Sequence, residues 1–364
     1  MKFEMPKYHH PDFEKDFLKN APNVTLEEVK EDGLSPRNYH ALSVYPEYFK
    51  INDKWVLAAQ SRMDTVCVAN DTPGEESVNI VEFRNLKKGD KVVIGRTEDA
   101  SEGIYVWTQG FLEGDAHQDT FAFRAGRSRE TAFSIDYDNL YEVLKYEKEH
   151  NGYVTLIVGA ALALDRDSRA ALERLVRNGY VNAIFCGTET AAFDLEKGIY
   201  GTTWGQEKFE KEQNTTKNLY KTINLARKYG STKALVESGL VKDGFMKACV
   251  EMDVPVVIAG TIRDRLGLPE TINNVYAAQN EMRKHARKTS TIIMMGAILY
   301  TIATGNMTPS YNVFDGVVRP VYMYTIDIQE FAVNKLSDRG TVTAVSMVTN
   351  VQDFIRNVDR ALNN

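Results

Sequence analysis

Tyr-Val-Thr-Leu-Ile-Val-Gly-Ala-Ala (Tyr153–Ala161) decides how this chain is read. The run to Val158 is apolar on both faces and gives way at once to small residues, as a strand does when helices cover both sides of its sheet. Runs of the same kind recur at Val181–Cys186, Val254–Ala259, Thr291–Met295, Val321–Ile326 and Thr343–Val348. Helical periodicity lies between and after them, near Ser168–Asn178, Lys217–Lys228, Thr232–Ser238, Gly244–Met252, Ile272–Lys288, Gln329–Ser337 and Val351–Ala361. This alternation predicts an α/β domain with a doubly wound, mostly parallel sheet, whose ligands bind outside the carboxyl ends of the strands.

Upstream, Asp136–His150 carries Leu140, Val143 and Leu144 at helical spacing, with an acid at its start and basic and His residues at its end. Before it, Gly110–Arg129 is polar and Gly-rich, a connector suited to serve also as an active-site loop. The first third is β-rich: Tyr39–Tyr45, Trp55–Ala59, Thr65–Ala69, Val78–Phe83, Lys91–Gly95 and Ile104–Thr108 are separated by turn residues such as Asp71-Thr72-Pro73-Gly74. A compact antiparallel sheet or small barrel is expected there. The division is residues 1–125 for the β-rich domain with its connector and 126–364 for the Rossmann-like domain.

Over 364 residues, 43% hydrophobic and 26% charged residues with a formal net charge of −6 are globular values. They exclude bulk disorder and argue against an electrostatic nucleic-acid footprint. Cys67, Cys186 and Cys249 are widely spaced with no CxxC pair, which removes a disulfide framework and a thiolate zinc site and points to a reducing, cytoplasmic compartment. The N-terminus lacks a leader pattern and the apolar runs are too short for a bilayer span, so neither secretion nor a membrane partner is expected. His9 and His10 sit in a polar arm and the other histidines are scattered; no metal site is expected, and His117 is left as a possible general base. No GxSxG elbow is present, and the cysteines read as core.

The strand ends carry the chemistry. Gly159-Ala160-Ala161 lets either a helix or a phosphate approach the backbone closely, and the residues do not decide between packing and binding. Gly187-Thr188 and Gly260-Thr261 end the next two strands and are read as further cofactor contacts. Arg263 and Asp264 follow directly: a guanidinium that can fork onto an anion beside a carboxylate that can take a proton, or else a local surface pair. Ile302–Ser310, with Thr304, Gly305, Asn306 and Met307, reads as a loop with the makings of a phosphate or ribose cradle. Asp327 stands where an acid binds ribose hydroxyls, and it can equally cap the helix opened by Gln329 and Glu330; the two roles are compatible.

Four stretches in order, Val254–Asp264, Ile302–Ser310, Asn334–Thr341 and Val348–Phe354, resemble the archaeal-type ornithine cyclodeaminase family, which carries the lysine-oxoglutarate reductase/saccharopine dehydrogenase region. Tyr39–Pro46 and Arg127–Asp138 resemble its N-terminal half, so the likeness covers most of the chain. The resemblance implies an NAD-binding domain of the deoxyhypusine synthase kind, which accounts for the missing GxGxxG. It implies that Gly159 and Ala160, then Thr304, Gly305 and Asn306, cradle phosphates and riboses. Asp327 takes the adenosine ribose, and Thr349 and Asn350 lie near adenine. Arg263 and Asp264 face nicotinamide and substrate. The implied reaction is redox-neutral, turning ornithine into proline and ammonia, with Asp264 as proton shuttle and Arg263 or Arg129 as carboxylate clamp.

Departures are concentrated near the expected crevice. Where the family has Gly-Asn-Ala-Leu-Ala before a His-Asp pair, this chain has Gly187-Thr188-Glu189-Thr190-Ala191 and then Phe193-Asp194. Arg265-Leu266-Gly267 replaces Asp-Gly-Pro, and Gln213–Leu219 replaces a Gly/His/Asn-rich stretch. Three readings follow: an NAD-dependent cyclodeaminase on ornithine or a related amino acid; a non-catalytic or regulatory paralogue paired with an active homologue; a cofactor-binding sensor. A homo-oligomer, or a hetero-oligomer with a homologous subunit, is expected by analogy with the fold's relatives.

Overall fold

A computed structural model describes residues 3–62, 64–111, 134–202, 217–261, 266–330, 333 and 343–363. The N-terminal lobe holds β1 (Thr25–Glu28), β2 (Glu47–Ile51), β3 (Lys54–Leu57), β4 (Thr65–Asn70), β5 (Ser77–Glu82), β6 (Lys91–Ile94) and β7 (Ile104–Val106). They form two small antiparallel sheets, β1-β6-β4-β5 and β3-β2-β7, where one antiparallel sheet or a small barrel was expected.

Tyr39–Tyr45 is not a strand; it makes only the single bridges Tyr39 to Ile94 and Ala41 to Val66. The strand is β2, buried along its whole length, and it hid behind two charged residues. Glu47 is hydrogen-bonded to the His40 ring at 2.7 Å, and Lys50 donates to the carbonyls of Lys19 and Ala21 at 2.8 Å each. Burial of such groups is tolerable only when they are partnered in this way.

The C-terminal lobe is built on β8 (Val154–Val158), β9 (Ala183–Gly187), β10 (Val256–Ala259), β11 (Thr291–Met295), β14 (Tyr322–Asp327) and β15 (Ala344–Val348), with the hairpin β12 (Tyr311–Phe314) and β13 (Val317–Pro320) outside the sheet. Strand order is β10-β9-β8-β11-β14-β15, all parallel. Alternate residues serve opposite faces. Leu156, Val158, Ile293 and Met295 join one core, whereas Ile157, Phe185, Ile292 and Met294 join a second under Met282 and Met307. Doubly wound packing was therefore readable from the apolar strands. Helices Ala160–Leu164, Thr188–Tyr200 and Ile298–Met307 were not anticipated, and most of the helix expected at Gln329–Ser337 lies outside the described residues.

The expected boundary at 125/126 also lies outside the described residues, but chain crossing between the lobes is visible. The β12–β13 hairpin turns at Asp315-Gly316 with both φ angles positive, and packs Tyr311, Val313 and Val318 onto Tyr8, Leu57 and Phe111. In return, the Phe3 ring meets Tyr146 and Tyr322 edge-on at 5.2 and 5.6 Å. Charge closes the seam: Glu82 of β5 pairs with the buried Arg62, with Arg283 at 2.9 Å and with Arg287 at 3.3 Å. Burial would raise the Glu82 carboxyl, but the guanidinium of Arg62 and then that of Arg283 hold it at about 2.

Because the folded value lies below the ordinary 4.5, the contribution of Glu82 is complete above that pH and is lost as pH falls toward 2. Replacing Glu82 by Gln leaves three guanidinium groups without their shared counter-ion. Urea unfolding at pH 7 is expected to show a loss of about 3–5 kcal/mol, and the difference from wild type should shrink as pH drops below 4. An unchanged midpoint would show that the cluster contributes nothing to the seam.

Candidate nucleotide-binding cleft

The direction in which successive strands are added to the sheet reverses between β8 and β11. From β8 the chain proceeds to β9 and β10 on one side, and from β11 to β14 and β15 on the other, so the ends of β8 and β11 diverge and leave a crevice. Gly159 and Gly296 stand at its base. The Gly159 amide donates to the Met295 carbonyl at 2.9 Å, and a Cβ built on Gly159 would lie 2.2 Å from the carbonyl oxygen of Gly296. Gly296 itself has φ +61°, which favours glycine. A cavity of about 610 Å³ opens above this pair, bounded by residues at the ends of β8, β9, β11, β14 and β15 and by Thr261 beyond β10.

Three helix termini at this cleft lack the side-chain cap that several others carry. The helices starting after Gly159, Gly187 and Ala297 have no side-chain cap. Away from it, Asp165, Ser231 and Asn274 cap theirs through Ser168, Ala234 and Ala277 amides at 2.8–2.9 Å. First-turn amides without a side-chain acceptor are suited to receive an anion. Glu189 and Thr190 line one flank; Asp327, Gln329 and Asn350 line the other. Asp327 accepts from the Gln329 amide at 2.9 Å, and Asn350, just before the helix Val351–Asn363, accepts from the Gln352 amide at 2.8 Å. Tyr300 reaches across to donate to the Ala259 carbonyl at 2.8 Å.

Of the residues singled out from sequence, Gly159, Ala160, Gly187, Thr261, Asp327 and Asn350 line the cleft. Thr188, Gly260 and Thr349 stand beside lining residues without lining it themselves; Thr188 is fully buried against Thr271, and the Gly260 amide is spent on Ile272. The expected cradle at Thr304–Met307 needs correction. These residues form the last turns of the helix Ile298–Met307, with Thr304 and Met307 buried. Six residues of helical rise put Thr304 about 9 Å from the end that opens on the cleft. Apolar Ile298, Leu299, Ile302 and Ala303 carry the helix through a stretch whose Thr, Gly and Asn suggested a loop. Gly296 to Tyr300 line the cleft instead, and a glycine at a strand end without a following cap residue was the signal for them.

Arg129, Arg263 and Asp264, together with His117, lie outside the described residues. Asp194 is a structural acid: it is buried, pairs with Arg169 at 2.5 Å and accepts from the Met246 amide at 2.9 Å. Burial pushes it up to about 6 against the pull of that guanidinium. Cys67, Cys186 and Cys249 are buried thiols, raised by desolvation. His285 contacts the Tyr153 hydroxyl at 2.6 Å away from the cleft. Among the described residues no cluster of three metal-ligating side chains occurs, and no helix is long and apolar enough to cross a membrane.

A parallel sheet in the order 3-2-1-4-5-6, with an anion-ready crevice at its switch point, defines a Rossmann-type nucleotide-binding domain beside a small β lobe. Residues 139–358 match the family model for the C-terminal Rossmann fold of ArgZ-like arginine dihydrolases, and the chain belongs to that family. It is 31% identical over 347 residues to the ornithine cyclodeaminase of Methanocaldococcus jannaschii, covering 91% of this chain and 76% of that protein. It is 30% identical to the bifunctional arginine dihydrolase/ornithine cyclodeaminase AgrE of Nostoc, covering 93% of this chain and 47% of AgrE. The chain thus spans about half the length of such bifunctional relatives. Among solved structures, the LOR/SDH protein of Methanococcus maripaludis superposes with a TM-score of 0.81 at 28% identity, covering 94% of this chain and 98% of that one. AgrE in ternary complex with ornithine and NAD+ superposes at 0.57 and 28%, covering 94% and 46%.

The glycine pair gives a test of the crevice. Gly159→Ala places a methyl group against backbone that has no free rotamer with which to yield. Thermal and urea unfolding should show a loss of about 1–3 kcal/mol. Wild-type stability would mean that the turns after β8 and β11 can separate.

Proposed function

We propose that this chain binds NAD in the switch-point cleft and catalyses a redox-neutral cyclodeamination of ornithine or a related amino acid. The observation that carries the reading is the convergence of three helix N-termini without side-chain caps over the Gly159–Gly296 pair. It is supported by membership of a family in which AgrE has been crystallised with ornithine and NAD+. The pyrophosphate rests on the amides following Gly159 and Gly296, Asp327 accepts the hydroxyls of the adenosine ribose, and Ile328, Val351 and Asn350 receive adenine. NAD, when bound, supplies a hydride acceptor for the substrate α-carbon and returns the hydride, so no net oxidation occurs. Asp264 moves protons to and from the two substrate amines, and Arg263 or Arg129 clamps the carboxylate. From ornithine, loss of one amine as ammonia and closure of the ring by the other give proline.

Denaturing the purified protein and analysing the supernatant by absorbance and mass spectrometry is expected to release NAD, and the native sample is expected to form ammonia and proline from ornithine. Asp264→Asn should cut ammonia release by about 10²–10⁴-fold while leaving bound dinucleotide unchanged. No dinucleotide, even after incubation with NAD+, refutes the reading; dinucleotide without ammonia redirects it to another amino acid or to a partner subunit. Asp327→Asn should weaken NAD+ by roughly tenfold and narrow its advantage over NADP+, whose 2′-phosphate the carboxylate repels. Titration of both cofactors by calorimetry measures this.

A further inference from the structure

We infer that Glu189 is a second ribose-reading carboxylate, holding the nicotinamide-side ribose while Asp327 holds the adenosine-side ribose; the inference rests on the NAD reading above. Glu189 occupies the first turn of the helix Thr188–Tyr200, lines the cleft, and has no hydrogen bond or ion pair among the described residues. Beside it Thr190, only 4% exposed, also lines the cleft and also makes no side-chain hydrogen bond among them. A half-buried carboxylate and a neighbouring hydroxyl that face the cleft without a protein partner among the described residues are available to the hydroxyls of a ligand.

Their placement matches Asp327 across the switch point. Glu189 follows β9, one strand outward from β8; Asp327 ends β14, one strand outward from β11. Three inter-strand spacings separate the two strand ends, about 14 Å, a span that suits two riboses on either side of a pyrophosphate held over Gly159 and Gly296. A ribose presents vicinal hydroxyls, and an ionised carboxylate accepts both in charge-assisted hydrogen bonds.

In the commonest dinucleotide-binding arrangement the acid after the second strand takes the adenosine ribose. Here the chemistry of the two ends reverses that assignment. The β14–β15 flank offers an apolar ledge, Ile328 and Val351, bordered by the Asn350 amide, which fits a flat base with polar edges. The β9–β10 flank is lined by the polar residues Glu189, Thr190 and Thr261, and Arg263 and Asp264 follow Thr261 in the sequence. The reactive ring and its ribose belong at that flank, over Glu189.

The test is calorimetric titration of Glu189→Gln and of wild type with NAD+, ADP-ribose and ADP. ADP-ribose carries both riboses, and ADP carries only the adenosine one. The variant is expected to bind NAD+ and ADP-ribose about 10- to 100-fold more weakly and ADP as tightly as wild type does, which also reports an intact fold. Asp327→Asn should weaken all three. Equal weakening of ADP by Glu189→Gln overturns the assignment of ends. Unchanged binding of all three, with a shift only in melting temperature or in the KM for ornithine, overturns the ribose role. A wild-type chain that binds none of the three overturns the NAD reading itself and this inference with it.

Discussion

Close approach of the turns after β8 and β11 is the constraint on which the rest of the site depends. Only a residue without a Cβ fits at Gly159, because the Gly296 carbonyl occupies the space that a side chain would need. That contact sets the two helices on either side of the crevice at a distance where both N-termini face one small volume. Sheet order then supplies the flanks, since each neighbouring strand adds one acid at its end. A crevice suited to a phosphate without a GxGxxG fingerprint follows from this geometry: the two glycines at its base stand after two strands far apart in sequence.

Polar groups buried at the lobe boundary do a different kind of work. Arg62, Arg283 and Arg287 around Glu82, and Arg319 with Glu147 at 2.6 Å, tie the β lobe and the hairpin to the sheet domain. Apolar contact through Tyr311 and Phe111 adds area to the same seam. Apart from Arg287, whose side chain is 43% exposed, these charges have lost most of their hydration, so the pairs add little net stability while the loss of one partner is costly.

Where a residue's environment is set by its own strand or helix, the sequence was readable. The parallel strands announced themselves through continuous apolar runs, and the strand-end rule led to Gly159, Gly187, Thr261, Asp327 and Asn350. It failed at β2, where His40 and the carbonyls of Lys19 and Ala21 make buried charges acceptable from outside the strand. It failed again at Ile298–Met307, where packing against Phe185 and Ile157 overrides the loop-like Thr-Gly-Asn. The Asp315-Gly316 turn carried a hairpin signal that was present and unused.

Alternating strands and helices, the absence of a thiolate or nucleophile motif, and a family resemblance spread over several ordered stretches were determined by the sequence alone, because each rests on local pattern. Tertiary structure decided that Gly296 to Tyr300, rather than Thr304 to Met307, face the cleft, that Asp194 is an internal ion-pair partner, and that Glu189 and Asp327 flank one crevice. Those facts depend on which strands become neighbours. Pairing of β8 with β11, more than a hundred residues apart in the chain, is set by the packing of the whole sheet and by no local preference.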